Sequence, residues 1–466
     1  MGRAALIAAL AACCMAGDWP QHQHDARRSG YTPDEIRPPY TLAWKRCFLP
    51  ERPARRTQAI VYRSRVFVGT QQGVMHCFDA ATGKELWTRD GLGSIQHSAG
   101  CADGKVFVGS LDGRVYALDA ETGTIAWRTS TSAGFTVAPL LADGKVLMGN
   151  RRGSFYALDQ KTGKPVWTHT IDGPIFGTAC ADDRRVFFGG EDIRIYALDL
   201  RSGKRLWASD QLQGMSMKDY HPVVHKGFVV VRPMAHFQAD IYNKHSPYAG
   251  AFKTPALHPG GWHPSWKGWP PPDGFPKLYA QATEERAGRM PPDLLKRQEA
   301  VIEHYTKHPE DQDLFVLRVE DGTIAFVAPH FRVNAMHGPV TPPVEDDDGL
   351  LIVPWVHVNN CWARYDIVKN RLVEFILPPT QTNADENLNA SCGGRYIYIF
   401  HCEEGNANHT GIYDVKAKKW LPNPSPGVRW YDNLQSGANP VSVGSGRYFH
   451  ILFYTLVARG TAEGGK

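Results

Sequence analysis

Several histidine, tyrosine and aspartate side chains of this sequence are of the kinds that transfer protons, bind sugars or hold metals. Asp219, Tyr220 and His221 are consecutive, and His337 lies in a second irregular segment. Histidine suits either a general base or a metal ligand near neutral pH. One interpretation makes His221 and His337 a base and a charge stabiliser, or metal ligands with Asp219, and makes Tyr220 an acid toward a sugar oxygen. The other interpretation makes them hydrogen-bonded residues around a water-filled opening.

A repeat of 40 residues shows which elements must position these side chains. The stretch ALDAETGTIAW at 117–127 has near copies at 77–87, 157–167 and 197–207. Three residue types recur in phase: Trp87, Trp127, Trp167 and Trp207; Gly83, Gly123, Gly163 and Gly203; Asp79, Asp119, Asp159 and Asp199. The Asp can cap its own turn, the Gly accepts a positive φ angle, and the Trp ring can pack against a neighbouring unit. We therefore assign these residues a structural role.

Each unit reads as four short strands, because turn signals recur every 8–12 residues and no amphipathic helix intervenes. Four strands in a repeat of this length indicate the blade of a β-propeller. The sequence predicts an all-β fold of eight blades, with seven as the alternative. The eight blades are expected at roughly 59–90, 99–130, 138–170, 178–210, 221–330, 339–377, 388–422, and 439–460 with 41–48. The strand at 41–48 would complete the last blade and leave no open sheet edge.

The fifth blade carries an insertion at 236–312 that is rich in Pro, Gly, His and Trp. Loops this long in a compact fold are usually lids or binding loops, and a stabilising flap is the alternative. A helix is expected after Asp293, with Leu295, Ile302 and Tyr305 on one face. The remaining organisation is a signal peptide at 1–16, an extension at 17–40, a single propeller domain at 41–460 and a disordered tail at 461–466.

The start of each innermost strand defines the mouth of a propeller channel, where ligands commonly bind. Aligning that position across the blades collects polar side chains in the half of the ring where the repeat diverges. The candidate ligand-binding rim consists of His97, Asp219, Tyr220, His221, His337, Asn389 and Asn439.

Composition narrows the choice of partners. The formal net charge is +5 with no long basic run, so nucleic-acid binding is not expected. The apolar stretch at 4–12 is too short to cross a bilayer and suits a signal peptide. Export is therefore expected, either by cleavage after Ala16 or as a lipoprotein anchored through Cys13. The cysteines beyond this segment form no CxxC motif, so no zinc knuckle or attached haem is expected.

The aligned TG and Trp positions, together with DWPQHQHDARRSGYTP at 18–33, resemble the pyrroloquinoline-quinone-like propeller repeat family. The resemblance implies either of two kinds of activity. Some members are alcohol dehydrogenases that bind the quinone and calcium, and those enzymes carry a disulfide between adjacent cysteines over the cofactor. Another is an eight-bladed lipoprotein without cofactor that helps to assemble outer-membrane proteins. Here the only adjacent pair is Cys13-Cys14, inside the predicted signal peptide.

We therefore expect a monomeric binding or scaffold protein that takes a protein or polysaccharide partner at the channel mouth. No bound quinone, other cofactor or metal site is expected. The alternative is an enzyme, either a quinone- and calcium-dependent dehydrogenase or a carbohydrate-active lyase or hydrolase that uses the His, Tyr and Asp residues of the rim.

Overall fold

A computed structural model provides the fold. It describes residues 17–218, 220–234, 298–299, 302–303, 305–307, 309, 312–330, 342–355, 361–376, 389–400, 411–421, 439–452 and 454–462. The predicted signal peptide and most of the insertion lie outside these residues. In the part of the chain that is described, no helix is long and apolar enough to cross a membrane.

Eight antiparallel sheets form the blades of a ring, so the prediction of an eight-bladed all-β propeller is confirmed and the seven-blade alternative is wrong. The four blades of the regular half are β3–β6 (Ile60–Tyr62, Arg65–Gly69, Met75–Asp79, Glu85–Arg89), β7–β10 (Gly100–Ala102, Lys105–Gly109, Arg114–Asp119, Ile125–Ser130), β11–β14 (Leu140–Ala142, Lys145–Gly149, Ser154–Asp159, Pro165–Thr170) and β15–β18 (Cys180–Ala181, Arg185–Gly189, Ile195–Asp199, Arg205–Ala208). Blades five to seven are β19–β22 (Val223–His225, Phe228–Val231, Phe315–Arg318, Ile324–Val327), β23–β26 (Val344–Asp346, Gly349–Trp355, Cys361–Asp366, Arg371–Ile376) and β27–β30 (Asn389–Gly393, Tyr396–Phe400, Gly411–Asp414, Lys419–Trp420).

The eighth blade closes the ring with a strand from the N-terminal side of the chain. Its strands are β31 (Ser442–Gly444), β32 (Arg447–Leu452), β33 (Thr455–Thr461) and β2 (Tyr40–Cys47), and β2 pairs antiparallel with β33. A further short strand, β1 (Tyr31–Thr32), pairs parallel with β27 on the inner edge of blade seven. The first strands of successive blades contact one another for most of the circuit, which identifies them as the wall of the channel.

Strand position in the blade follows from side-chain type. The second strand of blade two, β8, reads KVFVG and is buried after its first residue. Branched and aromatic side chains fit such a two-sided interior. The fourth strand, β10, reads IAWRTS and alternates between exposed and half-buried residues, as expected for an outer edge with one packed face.

Neighbouring blades are locked together by the repeated Trp and Gly. The indole N–H of Trp87 in blade one donates to the Ala120 carbonyl of blade two at 3.1 Å. The same ring covers Gly123, where an added Cβ atom would lie 2.5 Å from a ring carbon. Equivalent indole bonds join Trp44 to Ala80, Trp127 to Gln160, Trp167 to Leu200 and Trp207 to Val319. The repeat motif is therefore an inter-blade contact.

The Asp of the motif holds the turn that presents this glycine. Asp119 Oδ1 accepts from both the backbone N–H and the hydroxyl of Thr122, each at 2.9 Å. The hydroxyl of Thr122 and the neighbouring backbone N–H groups lower the pKa of Asp119 from its ordinary value. The turn is thus fixed in the shape that brings Gly123 under Trp87.

The described end of the insertion docks between blades five and six. Residues 298–299, 302–303 and 305–307 are helical. The Gln298 amide accepts from the Leu372 N–H at 2.7 Å and donates to the Leu372 carbonyl at 3.2 Å. Tyr305 is fully buried and stacks on the ring of His330, with 4.9 Å between ring centroids. This end of the insertion therefore packs between blades five and six and stabilises their contact.

The inter-blade contact at Gly123 can be separated from backbone strain by comparing two glycines. Gly123 and Gly144 have φ angles of +69° and +67°, but an added Cβ atom at Gly144 meets nothing within 4 Å. Ala at Gly144 should cost only the left-handed conformation, about 1–2 kcal/mol. Gly123→Ala should lower the free energy of unfolding by a further 1–3 kcal/mol, roughly, because it also overpacks Trp87.

Denaturant unfolding followed by tryptophan fluorescence measures both changes. Equal losses for Gly123→Ala and Gly144→Ala would show that the Trp87 ring does not hold the two blades together.

Candidate functional site

The N-terminal segment 17–32 occupies the channel and bonds to every blade. Eight of its carbonyls accept a backbone N–H from the first strand of a blade or the turn that follows it. The pairs are Gly17 with Ser445, Trp19 with Val61, Pro20 with Cys101, Ala26 with Ala181, Arg27 with Val224, Ser29 with Glu345, Gly30 with Cys392 and Thr32 with Gly394. Blade three contributes through the Leu141 N–H, which donates to Gln21 Oε1 at 3.0 Å. Along the segment the partners come from blades eight, one, two, three, four, five, six and seven, so the segment makes one full circuit.

Arg28 is the central anchor of this segment. Its side chain is fully buried, and its guanidinium donates to the carbonyls of Ala179 at 2.8 Å, His22 at 2.6 Å and Pro139 at 3.2 Å, and to Gln21 Oε1 at 3.4 Å. All four acceptors are uncharged. Burial lowers the pKa of Arg28 to about 10, so the side chain keeps its positive charge at neutral pH.

Three imidazoles meet beside this arginine, and we call His22, His97 and His221 the histidine cup. The ring centroids of His22 and His97 are 4.6 Å apart, and those of His22 and His221 are 5.1 Å apart, both edge to face. His97 and His221 come from the starts of blades two and five, whereas His22 comes from the segment. His22 and His221 are buried and His97 is half-buried.

The surroundings keep the three rings neutral. Loss of contact with bulk water lowers the pKa of His22 and His221 well below the ordinary value, and the arginines Arg28 and Arg56 lower both further. The same causes lower the pKa of His97 to about 3. At neutral pH each ring therefore carries one proton, on one of its two nitrogens.

Hydrogen bonds assign that proton in His97. The Ser98 backbone N–H donates to His97 Nδ1 at 2.8 Å, so Nδ1 is the acceptor and Nε2 carries the proton. His221 Nε2 is buried and has no hydrogen-bond partner among the described residues. The cup therefore contains an available N–H donor and a second imidazole nitrogen that lacks a partner.

Other predicted rim residues have different environments. Tyr220 is buried, and its carbonyl lies against Gly177 of blade four. Asn439 is buried and its side-chain oxygen accepts the Arg56 N–H at 2.7 Å. Asn389 is the first residue of β27, where its backbone lies opposite that of Phe400 in β28. Asp219 and His337 lie outside the described residues, so the predicted catalytic group of four remains a prediction.

Sequence reasoning missed His22, Arg28 and Gln58. Gln58 joins three parts of the wall: its N–H donates to Ser98 Oγ, its amide donates to the Val441 carbonyl, and its Oε1 accepts the Gln23 N–H. The signal was the density of polar and charged residues in DWPQHQHDARRSGYTP, which is unusual for a segment that precedes the first blade. The sequence predicts only an extension for this segment.

Arg28 should matter far more than its sequence neighbour Arg27, whose side chain is 47% exposed and pairs with Asp25 and Glu345. Arg28→Lys keeps the charge but loses the planar fork that reaches four acceptors. The expected loss in the free energy of unfolding is roughly 2–4 kcal/mol, against less than about 1 kcal/mol for Arg27→Lys. Urea denaturation measures both. Similar small losses for the two variants would contradict the role of Arg28 as the anchor.

Comparison with known proteins finds a family model that matches part of the chain. Residues 41–134 and 129–232 match the family model described as outer membrane protein assembly factor BamB. No curated protein is significantly similar in sequence. Among solved structures, BamB from Moraxella catarrhalis is 13% identical with a TM-score of 0.55, covering 92% of this chain and 99% of its own.

A dehydrogenase is a similar match in structure. The quinohemoprotein alcohol dehydrogenase from Comamonas testosteroni is 14% identical with a TM-score of 0.54, covering 97% of this chain and 82% of its own. At such identities the likeness shows the fold alone. The chain is therefore an eight-bladed β-propeller, and its residues 41–232 match repeats of the pyrroloquinoline-quinone-like type.

Proposed function

We propose that this propeller is an exported binding protein that takes a segment of a partner protein at the channel mouth, without redox chemistry. The observation that carries the proposal is the closed channel. Segment 17–32 bonds to all eight blades, and the histidine cup lies where two first strands begin. The mouth presents the half-buried ring of His97 beside the buried rings of His22 and His221. With the channel behind them filled by the segment, a peptide segment suits this site better than a small molecule enclosed on all sides. The matched family's description, an assembly factor, supports a protein partner.

The electrostatics support binding over proton-transfer catalysis. A general base works best when its pKa lies near the operating pH. The pKa of His97 is lowered to about 3, and that of His221 is also lowered well below its ordinary value. Such rings are weak proton acceptors at neutral pH but remain good hydrogen-bond donors. A polysaccharide is the alternative ligand for the same surface.

A bound quinone and calcium fit the described residues poorly. Calcium prefers several oxygen ligands, chiefly carboxylates. The part of the chain that is described contains no group of three or more His, Cys, Asp or Glu residues that could hold a metal ion. The charge beside the cup is that of Arg28, which would repel a cation. We therefore include no quinone step in the proposal.

Export remains part of the proposal. The apolar stretch at 4–12 supports a signal peptide. The two alternatives for its processing are cleavage after Ala16 and a lipoprotein anchored through Cys13. In either case the mature chain would begin close to Gly17, whose carbonyl accepts the Ser445 N–H at 2.7 Å. Processing would thus leave the circuit of segment 17–32 intact.

Site-specific crosslinking in producing cells tests where the partner binds. A benzophenone side chain at position 96, next to His97 at the mouth and half-buried, should give a discrete crosslinked protein adduct after irradiation. The matched control is position 128 of the same blade, an exposed residue on the outer strand β10, where no such adduct is expected. An adduct from position 128 and none from position 96 would contradict binding at the mouth.

Titration with pyrroloquinoline quinone and calcium tests the alternative enzyme. The purified full chain should acquire no bound chromophore and should reduce no dye with alcohols or sugars as substrates. A stable quinone spectrum together with substrate-dependent dye reduction would overturn the proposal in favour of a dehydrogenase.

A further inference from the structure

The histidine cup has a chemical preference that follows from its hydrogen bonds. His97 Nδ1 is already occupied by the Ser98 N–H at 2.8 Å, which leaves Nε2–H as a donor in a half-buried position. His221 Nε2 is buried without a partner among the described residues. A buried polar atom without a partner is costly, and a ligand that supplies the missing hydrogen bond regains that free energy.

The charge around the cup selects the sign of the ligand. The charged side chains that act on His97 and His221 are Arg28 and Arg56, both positive. The four hydrogen bonds of the Arg28 guanidinium all go to uncharged oxygens. Among the residues that the structure describes, no carboxylate therefore contacts the guanidinium directly, and Asp25 acts on its charge only from a distance. A buried, incompletely compensated positive charge favours an anion nearby.

A metal cation is disfavoured by the same geometry. A metal would need the lone pair of each imidazole, but His97 uses one nitrogen to accept the Ser98 N–H and carries its proton on the other. Binding a metal at Nε2 would move that proton to Nδ1 and break the bond to Ser98. The described residues also contain no group of three possible ligands in a metal-binding arrangement.

We propose that the histidine cup binds a carboxylate of an acidic peptide segment, with His97 Nε2–H and His221 Nε2 contacting the carboxylate and Arg28 supplying the positive potential. This rests on the proposed function, because it names the chemistry of the segment that the mouth takes. A carboxylate has two oxygens with several lone pairs, so it can accept from His97 Nε2–H and also from His221 in the tautomer that carries the ring proton on Nε2. Hydrogen bonds to an ionised acceptor are about twice as strong as neutral ones.

The test uses the full chain and two matched probes, acetyl-triglutamate amide and acetyl-triglutamine amide, which differ only in charge. Calorimetric titration should show binding of the glutamate peptide and at least tenfold weaker binding of the glutamine peptide. His221→Phe and His97→Phe each remove one imidazole of the cup without adding charge, and each should weaken binding of the glutamate peptide by roughly tenfold to a hundredfold. His169→Phe, on the outer strand β14 and away from the channel, should leave affinity unchanged.

Each other result overturns the inference. Equal affinities for the two peptides, no binding of the glutamate peptide, or an equal loss in His169→Phe would each show that the cup does not recognise a carboxylate. Binding of inorganic phosphate but not of the glutamate peptide would contradict the choice of a peptide. Tight binding of Ni²⁺ that is lost in His97→Phe would replace the anion site with a metal site.

Two further measurements separate a misfolded variant from a loss of binding, and failure of the carboxylate inference from failure of the proposed function. His97 is half-buried, so His97→Phe should fold even if the buried His221→Phe does not, and a thermal melt of each variant shows which data count. A crosslinked partner at position 96 together with equal peptide affinities would reject the carboxylate inference and leave the proposed function standing.

Discussion

The structure depends on satisfying the inner edges of eight sheets that converge on one channel. The innermost strand of each blade has only one neighbour within its blade, so the N–H groups on its other edge must find acceptors elsewhere. Segment 17–32 supplies an acceptor to every blade as it makes its circuit. Gln23, His24 and Arg28 adopt positive φ angles of 53°, 71° and 62° to follow this path. Such backbone persists only where surrounding contacts determine it.

The histidine cup is a consequence of the path that segment 17–32 takes through the channel. Because the segment must cross the channel, it carries His22 to the starts of blades two and five, where His97 and His221 lie. Because Arg28 must reach the carbonyls of blades three and four, a positive charge is buried beside the three imidazoles. The outer parts of the blades contribute differently. Trp87 and its equivalents fix the spacing between blades, and hence the positions at which the first strands begin.

The sequence predicted the ring well because each blade is encoded locally. A Trp, a Gly and an Asp recur within 11 residues of one another, and blade closure by 41–48 follows from one unmatched strand at each end. The same local frame aligned His97 with residues 220–221. It could not reveal His22, because the segment has no periodicity and its partners are remote: Gln23 and Ala390 are 367 positions apart. The sequence does not distinguish Arg28 from the other arginines, because two of its four acceptors are carbonyls of blades three and four, far away along the chain.

Hydrogen exchange at single-residue resolution tests the central claim, that segment 17–32 completes the inner edges. The amides of Val61, Cys101 and Cys392 point to the segment rather than to a strand of their own blade. In the native full chain these amides should exchange as slowly as those in the ladder between β4 and β5, since they open only when the ring itself opens. Exchange as fast as that of the outer-edge amides of β6 or β10 would show that the inner edges are not held by the segment, and would contradict this account.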